Sequence, residues 1–516
     1  MKMVKSLILG SAAGLVAMSG AQAADLPVKA KAVEYVRICS LYGAGFFYIP
    51  GTDTCIKLGG YLRVETALNT NAVYNGAYSS VAGARNRLSN YYTARSRQDL
   101  TVDTRTATEY GVVRTFFDAT FSWTTGSYAG VAASPGGTVY SAGVGQVGNP
   151  SDGGIAGGSV GVYHAFIQFA GFTMGKTISP FDTPWVNYPG NNFDGLVGGS
   201  GDVTAVNQLT YTAQFGNGVS GSIAVEDPTA YHQSNLYNVG AVGPGNLTGP
   251  AFLGGAYGLG AFGGTRAPDI VGVLKVDQAW GVFQLSAAAH NNHAAYYAPG
   301  LETSGHPDDK WGWAVQAGLQ IKNIPTGAGD TINLQAVYTD GHSRRNFQSL
   351  FGQNMVMFGG TNLPGAYQSV ALAGVADGVY GTGTGIATAQ TWGMRGAWNH
   401  NFDPYWSGAI YGAYAEMRYG DGGSALICNN LAGLALTAGV TTCNPNFAVA
   451  QLGGIIRWTP VKGLTFSVDT VWTHLDQRHE GFLTAPAIAA IAKPAANYEL
   501  KDQDTISMLV RAQRNF

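Results

Sequence analysis

The chain has 516 residues, a net charge of −2 and only 12% charged residues, about half the share usual in a water-soluble domain. Glycine, at 74 residues, stands at roughly twice its ordinary frequency, and Tyr, Phe and Trp are plentiful. So little charge argues against a soluble surface, and no segment past the N-terminus offers the roughly 18 consecutive apolar residues of a membrane helix. A transmembrane β-barrel reconciles these facts, because each of its strands needs apolar residues only at alternate positions.

The elements follow in chain order. Lys2 and Lys5 precede an apolar stretch from Leu7 to Met18 and the small-residue site Ala21-Gln22-Ala23. That is a secretory signal peptide, with cleavage expected between Ala23 and Ala24, so 1–23 are a leader. Residues 24–55 are expected to be a periplasmic segment and 56–516 the barrel. The four cysteines fall into two local pairs, and an exported protein meets oxidising conditions. Disulfides Cys39–Cys55 and Cys428–Cys443 are therefore expected; metal binding is the rival, but neither pair has CxxC spacing or a histidine nearby.

Period-two alternation marks about 16 strands. They lie at 56–68, 91–105, 110–123, 159–169, 171–178, 205–215, 218–226 and 268–277, then 281–290, 312–322, 330–340, 389–400, 405–419, 446–459, 463–474 and 502–516. Connections alternate between short and long. Turns such as Ala170-Gly171 and Gly216-Asn217 contrast with stretches at 69–90, 124–158, 179–204, 227–267, 291–310, 341–388, 420–445 and 475–501. Short turns at one end and long loops at the other are the asymmetry of bacterial outer-membrane barrels. In the last strand Ile506, Met508, Val510 and Phe516 share one parity and Thr505, Ser507, Arg511 and Gln513 the other, while Leu509 and Arg514 break the rule. Phe516 is expected to close the barrel at the short-turn rim.

Charge then singles out one wall. The second strand sets Arg95, Arg97, Asp99, Thr101, Asp103 and Arg105 on a single face. An arginine facing lipid at mid-membrane costs about 2–4 kcal/mol, so this face must look into water. Arg63 of the first strand and Arg114 with Asp118 of the third take the polar parity of their own strands. Because adjacent strands lie about 4.8 Å apart, these residues can form one basic patch with wall acids. Internal salt bridging that merely stiffens the wall is compatible with the same pattern.

Three stretches carry a family likeness: "EYVRICSLYGAGFFYIPGTDTCIKLGGYLRVE" (Glu34–Glu65), "AFIQFAGFTMGKTISPFD" (Ala165–Asp182) and the terminal "LVRAQRNF". With the strand rhythm, the chain resembles the alphaproteobacterial general porins over nearly all of its mature length. The resemblance implies a homotrimer of all-β, 16-stranded antiparallel barrels in the Gram-negative outer membrane, in contact with its lipid. It implies passive diffusion of small hydrophilic solutes and ions, with the third long loop folded inward. That loop carries Asp182, Asp194 and Asp202 and no basic residue, so it would set acids against the arginine wall. The family also implies that Phe516 is read as an assembly signal.

Other chemistry has little behind it. No GxSxG elbow appears; "GLGAFG" (Gly258–Gly263) lacks the strand-to-helix context of a dinucleotide site; and no basic cluster supports nucleic-acid binding. His290 and His293 have two residues between them and no third ligand near in sequence, so neither a metal nor a cofactor is expected. The alternatives are a barrel enzyme, which lacks a nucleophile with its base, and a surface adhesin or receptor acting through the long loops.

Overall fold

The computed structural model describes residues 37–516 apart from 71–74, 78–82, 90, 125–152, 156–157, 186–188, 202–204, 241–251, 253 and 349–350. The leader and its Ala23–Ala24 site, and Asp202, lie outside the described residues. Sixteen strands close one antiparallel barrel. They are β1 (Thr54–Leu68), β2 (Tyr92–Thr108), β3 (Gly111–Thr124), β4 (Gly158–Phe169), β5 (Phe172–Thr177), β6 (Val206–Gly216), β7 (Val219–Glu226) and β8 (Asp269–Gln278). The ring continues through β9 (Gly281–Asn292), β10 (Lys310–Lys322), β11 (Thr331–Asp340), β12 (Gln390–Asn401), β13 (Trp406–Arg418), β14 (Phe447–Val461), β15 (Leu464–Gln477) and β16 (Gln503–Asn515). Each matches an expected strand to within about three residues at either end, within the usual uncertainty of such boundaries. The seam closes from Tyr61 opposite Asn515 to Leu68 opposite Met508. The Phe516 N–H extends it, donating to Gly60 O at 3.1 Å.

Alternation along each strand separates two solvents. Leu58, Leu62 and Val64 on β1, Trp311, Trp313 and Val315 on β10, and Ile506 and Val510 on β16 are exposed on the outer surface. Thr505, Ser507 and Arg511 on the opposite parity of β16 are buried. Trp406 and Trp458 stack across β13 and β14 with ring centroids 6.0 Å apart, at the short-turn end where an aromatic girdle belongs. Tight turns sit at that end: Ala170 and Gly171 take φ of +50° and +85°, the left-handed pair that suits the twist of a two-residue hairpin.

The long loops are not irregular. Segments Asn354–Gly359, Ala366–Gly374, Glu480–Ala485, Ala496–Leu500 and Val440–Thr442 form a five-stranded sheet over the barrel. A second sheet joins Asn235–Asn238, Leu259–Gly260, Ala376–Tyr380 and Ala387–Thr388. A helix, α1 (Gly420–Ala432), buries Ile427 and Leu431. Both expected disulfides are present, Cys39–Cys55 and Cys428–Cys443. Loops of this size, 16 and 15 residues, are each worth about 3 kcal/mol on the chain-entropy account.

A buried histidine makes this cap pH-sensitive. The His479 Nδ1 accepts from the Asn444 N–H at 3.2 Å, so its Nε2–H donates to the Tyr257 hydroxyl, also at 3.2 Å. Burial pushes the imidazole down to about 4. The unfolded chain binds that proton near pH 6.5, so between pH 6.5 and 4 it holds more protons than the folded one, and stability falls as pH falls. Over that window the loss reaches roughly 3 kcal/mol, at 1.36 kcal/mol per unit. Hydrogen exchange at residues 480–500 should speed up as pH drops from 6.5 to 4, after correction for the intrinsic rate. In His479→Gln that extra acceleration should vanish; an unchanged pH profile in the variant would sink the assignment.

Candidate functional site

The lumen is divided by the third long loop, whose described residues 178–185 and 189–201 turn inward and lie against β9–β16. Polar side chains on the inner parity of those strands grip its backbone. Gln284 Nε2 donates to the carbonyls of Pro180, Phe181 and Asp182 at 3.1, 3.2 and 3.0 Å. Asn333 Nδ2 reaches Pro189 O at 2.7 Å, and Arg457 reaches Gly190 O at 3.1 Å. At the far turn Asp469 accepts from the Asn192 N–H at 2.6 Å while Arg511 donates to Asn192 O at 3.3 Å. On the return path the Val197 N–H donates to Gln451 at 3.0 Å, and Arg395 holds Leu196 O at 3.2 Å and Ser200 O at 2.6 Å. Gly198, with φ +84°, backs onto the Met394 and Tyr414 carbonyls, leaving no room for a Cβ.

Below the cap this side of the lumen is dry. Phe193, Leu196 and Val197 of the loop join inward-facing Tyr411, Ala413, Ala415, Val449, Val471 and Leu509, and the cluster continues through Phe347 and Phe351 into the five-stranded sheet. One packed body therefore occupies the β11–β16 side. The arginine wall of β1–β3 lies across the lumen from the loop's anchoring strands.

The five sequence-selected arginines divide into two groups. Arg95 is buried and bound to Glu65, which also takes Arg511 at 2.6 Å, so one carboxylate serves two guanidinium groups across the seam. Arg105 and Arg114 both pair with Asp103 at 3.0 Å. Arg114 further donates to Gln168 at 2.9 Å, and Arg105 lies 4.9 Å from the Phe46 ring of the N-terminal segment. Arg105 and Arg114 line a cavity of about 540 Å³ at the short-turn mouth, with Tyr42, Gln168 and Gln214. Arg63 and Arg97 are placed differently. Arg63 donates to Gln513 at 2.8 Å and stacks 4.4 Å over Tyr61; Arg97 donates to Ser122 at 2.8 Å and sits 5.5 Å from the Tyr163 ring. Asp99 and Asp118 meet side chain to side chain beside them, with His164 4.0 Å from Asp118.

The loop acids are likewise separated. Asp194 bridges to Asn75 and lies within electrostatic reach of Arg97. Asp182 is buried at the loop's root and faces Arg395, away from the wall. Sequence reasoning passed over the residues that hold the loop: Glu65, Gln284, Asn333, Arg395 and Asp469. Each is a polar residue on the inner parity of its strand, and that pattern could have flagged them. No sequence pattern could say which of them meets loop backbone.

An apolar outer belt, a charged wet lumen and a loop folded across it together define an outer-membrane diffusion channel. The profile of the porin subfamily matches residues 25–509, and the chain belongs to that family: it is a porin of the Gram-negative outer membrane, a channel crossing it as a multi-pass β-barrel. It is 32% identical to porin Omp2b of Brucella abortus (strain 2308) over 351 residues, which cover 65% of this chain and 85% of that relative. Identity and coverage are the same with porin Omp2b of Brucella suis biovar 1 (strain 1330). Among solved structures it is similar to the outer membrane channel DcaP of Acinetobacter baumannii, with a TM-score of 0.56 at 14% identity, covering 91% of this chain and 99% of that one. That last likeness is one of fold.

Proposed function

We propose that this porin passes small hydrophilic solutes and ions by passive diffusion through an eyelet between Asp194 on the inward loop and Arg63 and Arg97 on the wall. The observation that supports this reading is the loop's attachment to β9–β16, across the lumen from the basic wall. Opposed charges across a narrow, low-dielectric passage produce a transverse field that orients dipolar solutes and sorts ions by sign. No covalent step is assigned to any residue; size and charge do the selecting. Liposomes carrying the purified protein should swell in small sugars and progressively less as the sugar grows. Absence of swelling in every sugar would overturn the reading.

A homotrimer is the assembly proposed from the family. Phe516 is proposed as its periplasmic assembly signal, since the residue is exposed at the seam's end. Deleting it should lower the cellular yield of heat-modifiable trimer several-fold while export across the inner membrane continues. Normal trimer levels would refute the role.

A second reading, adhesin or receptor, draws on the folded outer sheets. It would be favoured if shortening residues 354–374 abolished surface binding at unchanged conductance.

A further inference from the structure

At the outer end of the barrel, where the inward loop leaves its strand, three histidines, three carboxylates and one arginine are packed together out of solvent. They come from distant parts of the chain: Glu226 ends β7, Asp269 opens β8, His290 lies on β9, His232 follows β7, and His342, Arg345 and Asp377 belong to the segment between β11 and β12. All seven side chains are essentially inaccessible. His293, three residues on from His290, turns away to Asp309 at 2.7 Å. The imidazole that joins His290 is His342, 52 positions away in sequence (342 − 290).

We propose that this cluster binds one divalent transition-metal ion, zinc being the expected occupant, through His290, His342 and Asp269, with His232 as the fourth donor.

Three observations carry the proposal. First, the donor atoms of His290, His342 and Asp269 lie within 4.8 Å of one another. Zinc bonds of about 2.0–2.1 Å in a tetrahedron set donors roughly 3.3 Å apart. His342 Nε2 and Asp269 Oδ2 stand at 3.2 Å, and His232 Nδ1 is 3.9 Å from the same oxygen. The 2.6 Å contact between His290 Nδ1 and Asp269 Oδ1 has to widen slightly. Because the His290 and His342 rings stack at 4.6 Å and 17°, one of them must turn about χ2 for both to face the ion.

Second, the cluster contains buried polar atoms that the protein satisfies poorly. Neither nitrogen of His342, nor His290 Nε2, nor Asp269 Oδ2 has a well-aligned hydrogen bond, His342 Nε2 and Asp269 Oδ2 meeting only in the 3.2 Å contact between them. A buried polar atom without a good partner costs about 1–3 kcal/mol, and a bound ion would satisfy these donors together.

Third, the charges leave room for a dication. Glu226, Asp269 and Asp377 oppose the single cation Arg345, which is 2.9 Å from Glu226 and 3.7 Å from Asp269. With neutral imidazoles the cluster carries two excess negative charges, and buried charge must be compensated. An outer shell is also present. Asp377 stands 3.7 Å from His290 Nε2 and is itself fixed by the Ser343 N–H and hydroxyl at 2.6 and 2.8 Å and by the Ser234 N–H at 3.0 Å. A carboxylate behind the second nitrogen is the usual support of a metal-bound histidine.

The ion would clamp the eyelet loop at its root. Arg345 donates to Ser179 at 3.1 Å and stacks 4.6 Å over Phe181, both at the start of that loop.

The test uses the full-length protein, refolded in detergent once with a chelator and once with zinc chloride, then gel-filtered and assayed for bound metal by mass spectrometry. About one zinc per chain is expected in the second sample and less than a tenth in the first. The zinc sample should also need a higher denaturant concentration to unfold. Cobalt added to the chelator-treated protein should give the visible absorption of a four-coordinate Co²⁺ site. His290→Ala and His342→Gln should lose the ion at least tenfold while His293→Ala keeps it. Wild-type protein that folds with no stoichiometric metal from zinc, cobalt, nickel or copper would overturn the proposal, water then filling the site. So would retention of zinc by both His290→Ala and His342→Gln.

Discussion

Replacing Arg63 and Arg97 with glutamine should shift the reversal potential in a salt gradient strongly toward cations, and Asp194→Asn should shift it toward anions. Arg63 donates to Gln513 and Arg97 to Ser122, both at 2.8 Å, and Asp99 lies within electrostatic reach of both. A unit charge about 6 Å from a passing ion contributes about 0.7 kcal/mol in water, a factor of about three in partition. Because each charge favours one sign of ion as it disfavours the other, losing two arginines should change the cation-to-anion permeability ratio about a hundredfold, and losing one acid about tenfold the other way. In 1 M salt the screening length falls to about 3 Å, so both shifts should shrink. Arg95 is excluded from this test because its guanidinium is committed to Glu65; removing it probes the wall's integrity. If neither variant moves the reversal potential at 0.1 M salt, the eyelet lies elsewhere.

Glu65→Ala should be among the most destabilising single substitutions in the barrel. Its side chain is fully buried, with those of Arg95 and Arg511 at 9% and 8% exposure, and the three tie β1 to β2 on one side and to β16 on the other. Removing the shared acid leaves two nearly buried cations without a carboxylate, which costs about 3–5 kcal/mol for a broken buried pair. Arg511 also holds Asn192 O, so the inward loop loses a tether and single-channel current should become noisier. Glu65→Gln, which retains a hydrogen-bond acceptor, should fall between the two. The measurement is the guanidinium unfolding midpoint of refolded barrel beside bilayer recordings; a midpoint and noise level equal to wild type would show that the seam does not depend on this row.

The barrel was legible because each strand meets lipid on one side and water on the other, which writes a period of two into the sequence. Arg95, Arg97, Asp99 and Asp103 could be assigned to the water side from the cost of charge in lipid alone. The cysteine pairs were equally plain, being close in sequence in an exported chain. Leu509 broke the parity rule, and the structure gives the reason: it points inward, onto the dry body formed by the eyelet loop and the cap. Helix α1 was read as loop because its glycines and asparagines are poor helix formers; buried Ile427 and Leu431 and the Cys428–Cys443 bond hold it instead. The same holds for Met355, Val370, Leu372 and Tyr498, whose segments become sheet only by packing on one another.

The sequence by itself determined the barrel, its strand number, its orientation of faces and the charged wall, because these follow from local alternation against two uniform solvents. Only the tertiary structure decided which charges are free to act on a solute. That depends on partners hundreds of residues apart, such as Glu65 with Arg511, Asn192 with Asp469, and His290 with His342 and Asp269. Neighbours of that kind are set by barrel closure and loop packing, and no local pattern in the chain encodes them.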